Sequence, residues 1–244
     1  MSQDISKTRS GIVAVSMYNR VVLNIPHSSS IFPFGMDGWD AGIRSEIERW
    51  TDWYTDWLFA SASRLDSRIV PVVYPFSRFF CDVERLVDDP LEAVGQGFIY
   101  ERFGTLKRTV TAAERAFAIR TYKEHHDRLR KAIAGEGTLL VDCHSFPSDL
   151  SDVEVCIGVN DDWSRPDDAL LERVLNRFRK AGYRTEINIP YSNSINPECG
   201  IRYESLMIEL NKGLYMDAGD SLQERRAAKF RAVLDGCFRA VLGI

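Results

Sequence analysis

The chain has 244 residues, 45% of them hydrophobic and 27% charged, with a net charge of −4. That balance excludes a disordered chain, a collagen and a coiled coil, and leaves no global basic field to hold nucleic acid or an anionic membrane. The apolar runs are too short to cross a bilayer.

The opening MSQDISKTRS has no apolar h-region and reads as a loose polar arm over residues 1–10. No repeat or Pro/Gly-rich linker follows, so residues 1–244 read as one domain. Residues 11–16 (GIVAVS) and 20–25 (RVVLNI) read as strands, the second stopped by Pro26. Residues 40–65 read as helical, with Ile43, Ile47, Trp50, Tyr54, Trp57 and Leu58 at helical spacing. Residues 68–74 read as a strand in which Pro71 requires a bulge or an edge position. Residues 86–108, with Gly95, Gly97 and Gly104, read as a loop that could cover a site. A helix is expected from Thr111 to Ala134, with Thr111 and Glu114 forming a capping box and Gly135 and Gly137 stopping it. The apolar run TLLVDCHS follows, then a strand over 153–159. A helix from Ser164 and Asp167 to Lys180 is closed by Gly182. Strands over 183–188 and 205–210 and a helix over 219–241 complete the pattern. Such alternation specifies a three-layer α/β/α sandwich, with sites where loops leave the carboxyl ends of strands.

Three polar clusters fall at such ends: NIPHSSS with His27, LLVDCHSF with Asp142 and His144, and LMIELNKGLYM with Glu209. Asp142 and His144, two apart on a strand, share a face, whereas Cys143 points into the core and forms no dyad with His144. Glu209 interrupts a buried run, which is costly unless the carboxylate is paired or liganded. The chain has only four histidines: His27, His125, His126 and His144. A catalytic zinc takes three protein ligands and keeps one position open. His27 and His144 can supply two. The third could be His126 or a carboxylate: Asp52 in RWTDWYTDW, with Glu84 and Asp142 in reserve. Asp142 could instead orient a ligand histidine. SRFFCDVER brings Arg78, Asp82 and Arg85, which could fork an anionic substrate or form an ion-pair network among themselves. Arg202 in CGIRY is a further anion contact. No G-x-S-x-G, G-x-G-x-x-G or P-loop string occurs. The five cysteines are scattered with no CxxC pair, which excludes a cysteine-rich metal site and suits a reducing cytoplasm.

Taken together, PHSS at 26–29, TDW at 51–53, SRFFCDVER at 77–85, HHDRL at 125–129, DCHS at 142–145 and IELNKGLYM at 208–216 resemble the N-formylglutamate amidohydrolase family over residues 21–217. The resemblance implies a mixed sheet between helix layers, similar to that of zinc-dependent exopeptidases. It implies an enzyme of histidine degradation that releases formate and glutamate from N-formyl-L-glutamate, a small anionic N-acyl amino acid. It also implies one divalent metal, zinc first, with manganese, iron or cobalt also compatible. Within it, Glu209 would be the general base, Arg78 and Arg85 would hold carboxylates, and His126 would orient substrate or stabilise the oxyanion. His125 has no counterpart in the family and is expected to be exposed. Ser29 replaces a family glycine, Glu84 replaces an asparagine, and NSINPECG replaces a glycine pair. The last two touch the presumed carboxylate pocket. Alternatives are another N-acyl amino acid deacylase, a carboxypeptidase-like enzyme, or a metal-free binding protein on the same fold. Oligomeric state is not legible.

Overall fold

The computed structural model describes residues 18–86, 89–133, 135–217, 219 and 221–244. The strand expected over 11–16 and the polar arm before it lie outside these residues. The described strands are β1 (Arg20–Ile25), β2 (Ile69–Val73), β3 (Arg102–Phe103), β4 (Leu106–Lys107), β5 (Thr138–Phe146), β6 (Val155–Gly158), β7 (Thr185–Ile187) and β8 (Glu204–Asn211). The α-helices are α1 (Ile43–Trp50), α2 (Thr55–Ala60), α3 (Ala112–Ala132), α4 (Asp168–Lys180) and α5 (Glu224–Leu242). Six strands form one sheet in the order β2–β1–β5–β8–β6–β7. β6 runs antiparallel to β8 and the other neighbours pair in parallel, so the sheet is mixed. β2 is an outer strand, which is where Pro71 is tolerated.

Alternation along the strands makes two cores. Val21, Leu23 and Ile25 of β1, Val141 and Cys143 of β5, and Leu206, Ile208 and Leu210 of β8 face one side. There they pack with Leu58 and Phe59 of α2, Leu170, Val174 and Phe178 of α4, and Phe230 and Leu234 of α5. Val22 and Leu140 face the other side, against Leu129 and Ala132 of α3. The architecture is therefore the expected three-layer sandwich. The same period of two sends Asn24, Asp142, His144 and Glu209 towards the α3 side.

Departures from the expected elements have identifiable causes. The helix expected over 40–65 breaks at 51–54: Thr51 is extended and Tyr54 takes φ 64° in the left-handed region. The Asp52 amide donates to the His27 carbonyl (2.9 Å) instead of continuing the helix. α4 begins after Asp167, whose carboxylate caps the Leu170 amide at 2.7 Å, rather than at Ser164. The loop over 86–108 contains the small β3–β4 hairpin. Gly137, at φ 75°, makes the turn into β5 where a Cβ would meet the Asn19 side-chain nitrogen Nδ2 at 2.9 Å. None of the helices among the described residues is long and apolar enough to cross a membrane.

The capping box on α3 is complete: the Glu114 amide donates to Thr111 Oγ1 (3.2 Å) and the Thr111 amide to Glu114 Oε2 (2.8 Å). Thr111→Ala is expected to lower unfolding stability by about 1 kcal/mol, read by urea titration. An unchanged midpoint and slope would show that the cap contributes nothing.

Candidate active site

Sheet register builds the centre of the site. Asn24 lies opposite Asp142 across β1 and β5, and His144 lies opposite Glu209 across β5 and β8. His27 follows the end of β1, and the 51–54 break is tied to it through the Asp52 amide. The result brings His27, Asp52 and His144 together: one ligand atom from each lies within 4.8 Å of the others, all buried. A second group, Glu84, Asp142 and His144, meets the same distance criterion.

The hydrogen bonds distinguish the two groups. His27 Nε2 donates to Asp82 Oδ1 at 2.8 Å. This leaves His27 Nδ1 as a bare lone pair, buried and without a hydrogen-bond partner, 3.8 Å from Asp52 Oδ2. His144 differs: its Nδ1 hydrogen-bonds Asp52 Oδ2 at 3.0 Å, while its Nε2 lies 3.1 Å from Asp142 Oδ1. Each imidazole nonetheless has a buried aspartate on its far nitrogen and turns its near nitrogen towards Asp52. That is how carboxylates fix the tautomer of metal-binding histidines. A lone pair aimed at a carboxylate in a buried space is unfavourable unless a cation lies between them. The His27–Asp52–His144 group therefore fits a divalent cation, and Asp142 lies on the far nitrogen of His144.

Electrostatics separate the two histidines. Burial and Arg78 lower His27 to about 4, so it is neutral at physiological pH. Burial also opposes the charged form of His144, but Asp142, Asp52 and Glu84 override it and hold the group well above the usual histidine range. Burial pushes Glu209 up to about 8, with Asp52 and Asp142 adding to the rise and His144 opposing it. Glu209 Oε2 is buried with no hydrogen-bond partner. A carboxyl poised near neutrality can both take and return a proton.

Asp82 is the organising residue that sequence reasoning undervalued. It is fully buried. Besides His27 it accepts from Tyr100 Oη (2.6 Å), Arg78 Nη2 (3.1 Å) and the Glu84 amide (3.1 Å), with Arg85 Nε at 3.8 Å. The R-x3-D-x2-R string is thus an ion-pair network, and both arginines also line the cavity beside the histidines. Burial opposes the charge on Asp82, yet His27 and the arginines keep it well below the carboxylate range.

That cavity, about 380 Å³, is bounded by His27, Asp52, His144, Glu209, Arg78, Arg85 and Glu84, with Trp50, Tyr100, Phe103, Phe146 and Tyr191 among its walls. Three expectations need correction. His126 does not line it: Nε2 donates to the Val83 carbonyl (2.9 Å) and the ring packs on Tyr122 at 4.3 Å. With Tyr122 Oη donating to the Arg85 carbonyl (2.9 Å), it braces the segment that carries Asp82, Glu84 and Arg85. His125 is buried, not exposed, and its Nε2 donates to Asn24 Oδ1 at 2.9 Å. Burial lowers it to about 3. Asn24 in turn donates to Glu84 Oε1 (2.6 Å) and Asp142 Oδ1 (2.9 Å), so α3 supports the site through β1. Arg202 lies elsewhere, in a separate cavity with Gly137, Thr138 and Glu204 at the starts of β5 and β8. Asn24 carried a legible signal, a polar residue inside a buried strand run. Tyr100 carried none.

The N-formylglutamate amidohydrolase family model matches residues 19–216. The crystal structure of N-formylglutamate amidohydrolase from Ralstonia eutropha JMP134 superposes with a TM-score of 0.72, covering 93% of this chain and 95% of that one at 22% identity. A gene product of Agrobacterium tumefaciens superposes with a TM-score of 0.64, covering 91% of each chain at 20% identity. These likenesses show the shared fold. No curated relative matches the sequence. With the family pattern spanning most of its length, the chain belongs to the N-formylglutamate amidohydrolase family.

Proposed function

We propose that the protein is a metal-dependent amidohydrolase that cleaves the amide of a small N-acyl amino acid, N-formyl-L-glutamate being the compound the family is named for. One observation carries the reading: His27 Nδ1 and Asp52 converge with His144 beside Glu209, with His27 Nδ1 and Glu209 Oε2 both buried and unpartnered. Two histidines and a carboxylate are a donor set suited to zinc. His27, Asp52 and His144 would hold the ion, and when bound it would polarise the acyl carbonyl and lower the pKa of water.

The remaining steps belong to the chain. Asp82 and Asp142 hold the two imidazoles by their far nitrogens, so both rings are oriented before substrate arrives. Arg78 and Arg85 would hold the substrate carboxylate at the cavity wall. Glu209 would accept a proton from the attacking water as its oxygen bonds to the acyl carbon. It would return that proton to the amide nitrogen as the C–N bond breaks. The products are the free carboxylic acid, formate in the simplest case, and the free amino acid.

Formate release from N-formyl amino acids by the purified chain, with and without chelation, tests the reading. Activity lost on chelation and restored by zinc or manganese supports it. A chain that binds these compounds without turnover would instead be a binding protein. Arg78→Ala or Arg85→Ala is expected to weaken substrate binding by about 1.5–3 kcal/mol each, the size of a charge-assisted hydrogen bond. Unchanged KM in a folded variant would confine that arginine to the network around Asp82.

A further inference from the structure

The string IELNKGLYM places a lysine three residues beyond Glu209, and no step of the reaction uses it. Lys212 is 6% exposed and lies in the turn that follows β8. A buried ammonium group is costly unless its charge and its protons are met. Its Nζ donates to the Arg49 carbonyl at 2.5 Å, across 163 positions of the chain. Arg49 is the next-to-last residue of α1. A helix end leaves carbonyls without intrahelical partners, and their partial negative charge favours a cation. The Thr51 amide donates to the Ile47 carbonyl (2.9 Å) and Trp53 Nε1 to the Glu48 carbonyl (2.8 Å), so Lys212 meets the next carbonyl in line.

The tie reaches a point three residues before Asp52. The Asp52 amide donates to the His27 carbonyl (2.9 Å), and its own carbonyl accepts from Thr55 Oγ1 (2.7 Å). Those bonds fix its backbone to the end of β1 and the start of α2, and Lys212 adds a link to β8. The anchor itself is held. Asn211 Nδ2 donates to the Ser151 and Val153 carbonyls at 3.2 Å each, and Asn211 Oδ1 accepts from the Gly213 amide at 2.9 Å. Arg226 Nη2 donates to the Met216 carbonyl at 2.6 Å. The strand that carries Glu209 therefore also carries the group that secures the segment bearing Asp52. Charge acts in the same sense: burial opposes the Asp52 carboxylate, but His144, His27 and Lys212 hold it below its ordinary value.

We infer that Lys212 is a positioning residue of the metal centre: by tying the turn after β8 to the end of α1, it sets Asp52 against His27, His144 and Glu209. This rests on the metal-dependent reading and adds a residue to it. The test measures zinc affinity of the full chain by competition with a chromogenic chelator, and the visible absorption of the cobalt-loaded chain, which reports ligand geometry. Lys212→Met keeps the length of the side chain and loses the donor and the charge. It is expected to lower zinc affinity by about 10–100-fold, the loss seen when the support of a metal ligand is removed, and to alter the cobalt spectrum. Trp53→Phe removes the neighbouring bond to the Glu48 carbonyl and should leave affinity and spectrum close to those of the parent. A folded Lys212→Met chain with parental affinity and spectrum overturns the inference. So does an equal loss in Trp53→Phe, which would make Lys212 one of several props of α1. Should Lys212→Met not fold, Lys212→Gln, which keeps a polar end and drops the charge, is read by the same outcomes. A parent chain that binds no divalent ion removes the metal reading, and the inference with it.

Discussion

Glu209→Gln is expected to lower kcat by about 10²–10⁴, the usual contribution of a positioned base, with metal content and KM close to those of the parent. The substitution keeps the size of the side chain and removes only the proton acceptor. Among the described residues no arginine forms an ion pair with Glu209; burial raises it to about 8 and its Oε2 has no hydrogen bond. A purely structural carboxyl at this place on β8 would give the opposite result: altered stability with turnover retained. Thermal melts and single-turnover rates on the same variant separate the two. A folded, metal-loaded variant with near-normal kcat would remove Glu209 from the mechanism.

His27→Ala is expected to abolish stoichiometric metal binding, read as metal content after dialysis and by calorimetric titration. Asp82→Asn should keep the ligand atoms and lower metal affinity by about 10–100-fold, the size expected when the partner of a ligating histidine is lost. The two variants together are informative because Asp82 touches His27 Nε2, the nitrogen away from Asp52. If His27→Ala binds zinc as tightly as the parent, the ion does not belong to the His27 group, and the group of Glu84, Asp142 and His144 takes its place.

Much of this was legible in the sequence, for identifiable reasons. β1, β5 and β8 are continuous apolar runs, which only buried strands explain, so His27, His144 and Glu209 could be placed at or near their carboxyl ends. The shared face of Asp142 and His144 follows from the period of a strand and holds at 3.1 Å. What escaped was set by contacts between distant segments. Periodicity carried the helix reading through residues 51–54, because nothing local shows that the Asp52 amide is claimed by His27. His125 and His126 are adjacent on α3, and the resemblance set His126 at the substrate and His125 in solvent; sheet geometry instead turns one to Asn24 and the other to Val83. Arg202 fell at the wrong end because a basic residue near a strand does not reveal which end of the sheet it adjoins. Asp82 read as one member of a charge string, whereas burial makes it the hub.

The ties that build this centre span long stretches of chain. Asn24 reaches Asp142 across 118 positions, His144 reaches Asp52 across 92, and His27 reaches Asp82 across 55. No local hairpin or helix pair contains the His27–Asp52–His144 group, so no early, locally ordered species can contain it either. Loops of this size must close before their contacts reward the entropy lost, which makes such pairings slow. Throughout that interval the carboxylates and imidazoles remain hydrated and separate. High metal affinity should therefore emerge only with the last cooperative step of refolding. A chain cut in the turn after β5 would divide Glu209 from the two histidines, and neither half would hold a complete site.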